Sequence, residues 1–173
     1  INGGAFDLYG NGGSAKLVLE DSMLESNKAE RSGGAVMAIS GGKVQVAECT
    51  TSYLNKNVAT TKDGGGIYMQ SGSSLIVSGV GTKLVVDGNT AQQSGGGVLA
   101  ASAATVTLSS GAHMDVINNK ALTGQGGGFY LQNEGTRLDV HGEGTQLNVF
   151  GNQAKINGGG LALRSGPVVR ITA

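Results

Sequence analysis

The sequence predicts an all-β fold, a right-handed parallel β-helix with three strands per coil and about 31 residues per coil, and three observations lead there. A Gly-Gly pair or Gly triplet opens a short apolar run six times, as GGAFDL, GGAVMA, GGGIYM, GGGVLA, GGGFYL and GGGLAL, starting at Gly3, Gly33, Gly64, Gly95, Gly126 and Gly158 with spacings of 30, 31, 31, 31 and 32 residues. Self-similarity at a fixed period of this size marks a solenoid, in which each unit buries its apolar face only against its neighbours. Within every repeat, three pieces alternate apolar and polar residues at period two, the mark of strands with one face buried. Finally, 32 glycines in 173 residues with one proline, no tryptophan and 4% aromatics cannot fill an ordinary globular core. A narrow core refilled at each coil needs no bulky side chains. Right-handed winding is the default for parallel crossovers.

The first strand follows the glycines, with inward candidates Phe6 and Leu8, Val36 and Ala38, Ile67 and Met69, Val98 and Ala100, Phe129 and Leu131, Leu161 and Leu163. The second contributes Leu17 and Leu19, Val44 and Val46, Leu75 and Val77, Val106 and Leu108, Leu138 and Val140, Val169 and Ile171. The third contributes Ser22 and Leu24, Ser52 and Leu54, Leu84 and Val86, Met114 and Val116, Leu147 and Val149. Three strands per turn make a triangular prism, each strand pairing in parallel with its counterpart one coil away, so that like stacks on like. Residues 1–173 then form one domain of about five and a half coils.

Three residues after the last aliphatic of each third strand stands an asparagine, and two residues further an alanine: Asn27 with Ala29, Asn57 with Ala59, Asn89 with Ala91, Asn119 with Ala121, Asn152 with Ala154. Asparagine tolerates the left-handed backbone region and bonds neighbouring backbone, so these five are expected to form a ladder along one corner. At the next corner the glycine pairs Gly33 and Gly34, Gly64 and Gly65, Gly95 and Gly96, Gly126 and Gly127, Gly158 and Gly159 are expected to permit positive φ and close approach of neighbouring coils. The interval from Asn to the first Gly varies between six and seven residues, as a solvent-facing loop allows.

With the inward set fixed, the first sheet turns Met37, Tyr68, Leu99 and Tyr130 outward in one column, with Ile39 and Ala101 beside them. Such an apolar stripe on an isolated rod lies under a loop, or merely reflects β-propensity residues on a wide sheet, or makes a lateral contact with another chain, a neighbouring domain or a glycan, the two tyrosine rings then serving as stacking platforms. In the last case, removing both rings should abolish binding and leave the fold intact. The sequence starts at ING in the register of KINGGG, stops after a second strand and shows no capping helix, so it is expected to be a window of a longer protein or a protomer stacked end to end.

Composition excludes several function classes. Twelve basic and twelve acidic side chains cancel, leaving no field to gather nucleic acid. No apolar run approaches the length of a membrane span, so no membrane-spanning segment is expected. One cysteine, Cys49, cannot form an internal disulfide or a thiolate zinc site, and the two histidines fall on different sheets, so neither metal nor cofactor is expected. The glycine triplets lack the Lys-Ser or Lys-Thr and the following helix of a phosphate loop. Parallel β-helices can cleave polysaccharides with outward acids and bases, and here the outward candidates are Asp115, Asp139, Asn148 and Arg170, with His113 and His141 nearby. Asp139 and Arg170 fall on adjacent coils of the second sheet, which reads first as a surface ion pair. Asp115 has Val85 and Asn148 as stacked neighbours and no second carboxylate at working distance, so the chain is expected to be non-catalytic.

GGA or GGG followed by an aliphatic, preceded by an aliphatic-x-x-Asn element as in VFGNQAKINGGGLAL, resembles the twin motif of the polymorphic outer-membrane proteins, a family of bacterial autotransporter passengers. Leu or Val stands here where the family's first motif prefers Phe. The resemblance covers nearly the whole chain. It implies an exported, extracellular adhesive or structural rod at the cell surface, whose partners are other copies or domains of the same protein or a glycan, and it supplies no catalytic residue.

Overall fold

The computed structural model describes residues 3–11 and 15–172, and among these every regular element is a strand. The strands stack in parallel as a β-solenoid of about 31 residues per turn, and among the described residues no helix is long and apolar enough to cross a membrane. The register proposed for Ile1 lies outside the described residues.

One coil shows the plan of all. Its strands are Ile67–Gln70, Ser74–Ser78, Lys83–Asp87 and Thr90–Ala91, and each pairs with the matching strand of the coils before and after. Homologous residues lie in rows. Val36, Ile67, Val98, Phe129 and Leu161 form one, and Leu54, Val86, Val116 and Val149 another. The predicted inward side chains of the central coils are fully buried and form one continuous core; those of the outermost coils, such as Phe6 and Ile171, are exposed because only one neighbour covers them.

The coil has four strands where the sequence predicts three. The fourth is two residues long, Lys28–Ala29, Val58–Ala59, Thr90–Ala91, Lys120–Ala121 and Gln153–Ala154, too short for period-two alternation to register. Its trace in the sequence is the alanine of Asn-x-Ala, buried in the central coils. The second glycine of each run explains why this strand exists. A Cβ added at Gly65 would stand 2.6 Å from the Thr90 nitrogen, and one at Gly96 2.5 Å from the Lys120 nitrogen. The backbone of the fourth sheet therefore lies directly against that glycine, and any side chain would force the two apart. The first glycine does different work: Gly33, Gly64, Gly95, Gly126 and Gly158 all have φ between 62° and 69°.

The asparagine ladder is continuous. Asn27, Asn57, Asn89 and Asn119 each donate the backbone N–H and the side-chain amide to Oδ1 of the next asparagine at 2.8–3.0 Å, ending on Asn152. The same amides of Asn57, Asn89, Asn119 and Asn152 also donate to the carbonyls of Leu24, Leu54, Val86 and Val116 on the preceding coil. The left-handed residue is not the ladder asparagine, as the sequence suggested, but the one before it: Ser26, Lys56, Gly88, Asn118 and Gly151 have φ of 53–68°. That turn frees the asparagine to point inward, where Asn57, Asn89 and Asn119 are fully buried.

Two expectations follow. Asn89→Ala removes the acceptor of the buried Asn57 N–H and of one Asn57 side-chain N–H, and at about 1–3 kcal/mol for each such group it should lower stability by about 2–6 kcal/mol. Urea denaturation measures the loss, and hydrogen exchange should show it first at the Asn57 amide. By contrast, exposed Ala103 sits at φ 64° in a turn where Gly41, Gly72 and Gly166 stand in other coils. Ala103→Gly should raise the denaturation midpoint, by relieving a left-handed alanine worth about 1–2 kcal/mol less the added entropy of the unfolded chain.

Candidate binding surface

The outward column of the first sheet forms as the alternation predicts: Met37, Tyr68, Leu99 and Tyr130 are register partners, flanked by Asp7 and Ala162. It is not an open stripe. Met37, Leu99 and Tyr130 are only 3–5% exposed. The corner that runs from the fourth sheet into the glycines folds back across this face, so that a Cβ on Gly64, Gly95 or Gly126 would lie 2.7–2.8 Å from the Cβ of Tyr68, Leu99 or Tyr130. Leu99, Ala101, Tyr130 and Ala162 thus make a second, small core outside the sheet, with Tyr68 packed against its edge. The rings of Tyr130 and most of the column serve the fold and are not platforms for a partner.

Between the second and third coils the cover parts. There a crevice of about 220 Å³ opens, lined by Arg31, Lys62 and Asp63 from the corners and by Met37, Tyr68 and Gln70 from the sheet. Tyr68 is half-buried, and its hydroxyl donates to Gln70 Oε1 at 2.7 Å. Asp63 Oδ1 accepts the Ser94 N–H at 2.9 Å, and Ser94 Oγ in turn accepts the Gln125 N–H at 3.1 Å, so at these two positions the residue before the glycine run caps the corner of the next coil. Burial pushes the Asp63 carboxyl above its ordinary value, against the opposing pull of the Ser94 N–H and Lys62. Burial also raises the Tyr68 phenol, with the Asp63 charge adding to it and Arg31 opposing.

The outward acids and bases do not converge. Asp139 and Arg170 are register partners as expected, yet they form no ion pair; they line a shallow depression with Thr107 and His141. Asp115 does lie between Val85 and Asn148, and it has partners that simple row counting missed. Lys83 Nζ, diagonal to it, stands 2.7 Å from Oδ2, and Asn148 Nδ2 donates to Oδ1 at 2.8 Å. Burial alone would raise the Asp115 carboxyl, but the hydrogen bonds from Lys83 and Asn148 and the Lys83 and His113 charges outweigh it and hold it below the usual range. Asp115 and Asp139 belong to different sheets, and the one carboxylate diagonal to Asp115, that of Asp87, is engaged by Asn118 Nδ2 at 3.0 Å. Among the described residues no group of three His, Cys, Asp or Glu side chains could hold a metal, and Cys49 is a free exposed thiol whose Sγ lies 3.3 Å from the Val80 carbonyl oxygen.

Searches against protein-family models, curated proteins and solved structures return no match to this chain.

The covered column changes what its mutants should do. Tyr130→Ala empties a site inside the second core and should cost about 3–5 kcal/mol in denaturant unfolding, whereas half-exposed Tyr68→Ala should cost clearly less. For Asp115, a lowered carboxyl contributes stability that is fully present above the ordinary Asp value near pH 3.9 and is lost as pH falls through the folded-state value. Unfolding free energy measured from pH 6 down to 2 should therefore fall less steeply in Asp115→Asn than in the parent.

Proposed function

We propose that this chain is the structural or adhesive shaft of an extracellular surface protein or fibre, a repeat rod that does no chemistry of its own. The observation that carries this reading is the unbroken asparagine ladder from Asn27 to Asn152, fully buried at Asn57, Asn89 and Asn119. The positions that recur from coil to coil, the ladder, the glycine pairs and the inward aliphatics, all serve contact between coils. Outward columns change character at each step, as in Met23, Tyr53, Val85, Asp115 and Asn148. Repetition therefore serves length, and the surface is free to vary for partners. The resemblance to autotransporter passengers favours an exported rod whose neighbours are other copies or domains of the same surface protein.

Negative-stain microscopy of the purified full-length protein tests this directly. Elongated particles or fibres are expected, with about 4.8 Å of length per coil. Compact particles with turnover on polysaccharide substrates would overturn the reading.

A further inference from the structure

We propose that the crevice between the second and third coils binds one acidic sugar residue, its carboxylate held between Arg31 and Lys62 and its hydroxyls by Asp63, Tyr68 and Gln70. The two cations come from adjacent corners tied by the Lys62 N–H to Arg31 carbonyl bond at 3.2 Å, so their stems start about one strand spacing apart. Both are exposed, and neither makes an ion pair or side-chain hydrogen bond among the described residues. Two unpaired cations that close suit a single carboxylate bridging them.

The rest of the lining selects a sugar over a simple anion. Asp63 uses Oδ1 on the Ser94 N–H and leaves Oδ2 to accept, which a sugar's hydroxyl donors satisfy and a simple anion without donors does not. Tyr68 and Gln70 are already bonded to each other with the hydroxyl as donor, which leaves the phenol oxygen to accept and the Gln70 amide to donate. A ring whose every hydroxyl both donates and accepts matches such a mixed set. Met37 and the Tyr68 ring supply an apolar edge for its C–H face. The volume, about 220 Å³, falls below the range of about 300–1,000 Å³ typical of drug-sized sites and fits one ring with the chain continuing into solvent.

This inference rests on and deepens the adhesive reading of the shaft, and it fails separately, since a rod that ignores sugars still images as a rod. The test is titration of the isotopically labelled protein with methyl β-glucuronide, methyl β-glucoside and acetate, followed by amide chemical shifts. Glucuronide should move the amides of Lys62, Asp63, Gly64 and Tyr68 with a millimolar Kd, as one small polar ring allows. Arg31→Gln with Lys62→Gln, both exposed and unpartnered, should keep the parent spectrum elsewhere and weaken that binding at least about tenfold, and Asp63→Asn should weaken it as well. No shift at tens of millimolar glucuronide, equal affinity for the glucoside or for acetate, or an unchanged Kd in the double variant would each overturn the assignment.

Discussion

Saturation of the ladder asparagines is the constraint from which the rest of this solenoid follows. Each central amide bridges three coils: Asn89 accepts from Asn57, donates to Asn119 and also donates to the Leu54 carbonyl. A slip of one coil by a single residue would break every one of these bonds and at the same time turn the inward aliphatics outward, so polar and apolar terms enforce the same register. That agreement is what allows a core as thin as this one to specify a unique stack.

The ladder also dictates what surrounds it. For the asparagine to point inward, the preceding residue must take a left-handed turn, and the chain must then run across the coil as the two-residue fourth strand. That strand lies against the second glycine of the preceding run, whose Cα leaves no room for a side chain. Asn, Ala and Gly-Gly therefore form one mechanical unit: the amide fixes the turn, the alanine fills the narrow interior and the glycine admits the crossing backbone. Ala5 and Ala35 stand at the third position of their runs, where Ala35 is accepted as a fully buried methyl, which shows that the close approach bears on the second glycine more than on the third.

How much was legible in the sequence depended on the period of each signal. The inward rows of three sheets and the asparagine column could be read, because period two and period 31 both leave several copies to compare. The fourth strand could not, since two residues hold no alternation. The identity of the left-handed residue was obscured because Ser26, Lys56, Gly88, Asn118 and Gly151 share no side chain, only a φ. Alternation placed Met37, Tyr68, Leu99 and Tyr130 on one face, but whether a face meets water is decided by the path of the next corner. The crevice at Arg31, Lys62 and Asp63 was hidden for the same reason. It exists only because two corners part, and Asp63 carries a chemistry that its row neighbours Ser94 and Gln125 do not repeat.

One regularity runs at twice the coil period. The interval from Asn to the first glycine is six, seven, six, seven and six residues, and the two longer corners precede the two tyrosines, Tyr68 and Tyr130. The same two coils carry the bulkier inward pairs, Ile67 with Met69 and Phe129 with Leu131, stacked against Val36 with Ala38 and Val98 with Ala100. Large rows on small rows interdigitate at native density where large on large would clash and small on small would leave voids. A longer corner fits the same logic on the outer face, where it must clear a ring instead of Met37 or Leu99. Across the four central coils the packing unit of the first sheet is accordingly a pair of coils; the last coil departs from it, setting Leu161 and Leu163 behind a six-residue corner against Phe129 and Leu131. A seven-residue corner therefore comes with a matching demand for bulk on both faces of its sheet, and exchanging corners between light and heavy coils without exchanging their side chains would leave one face overfilled and its neighbour hollow.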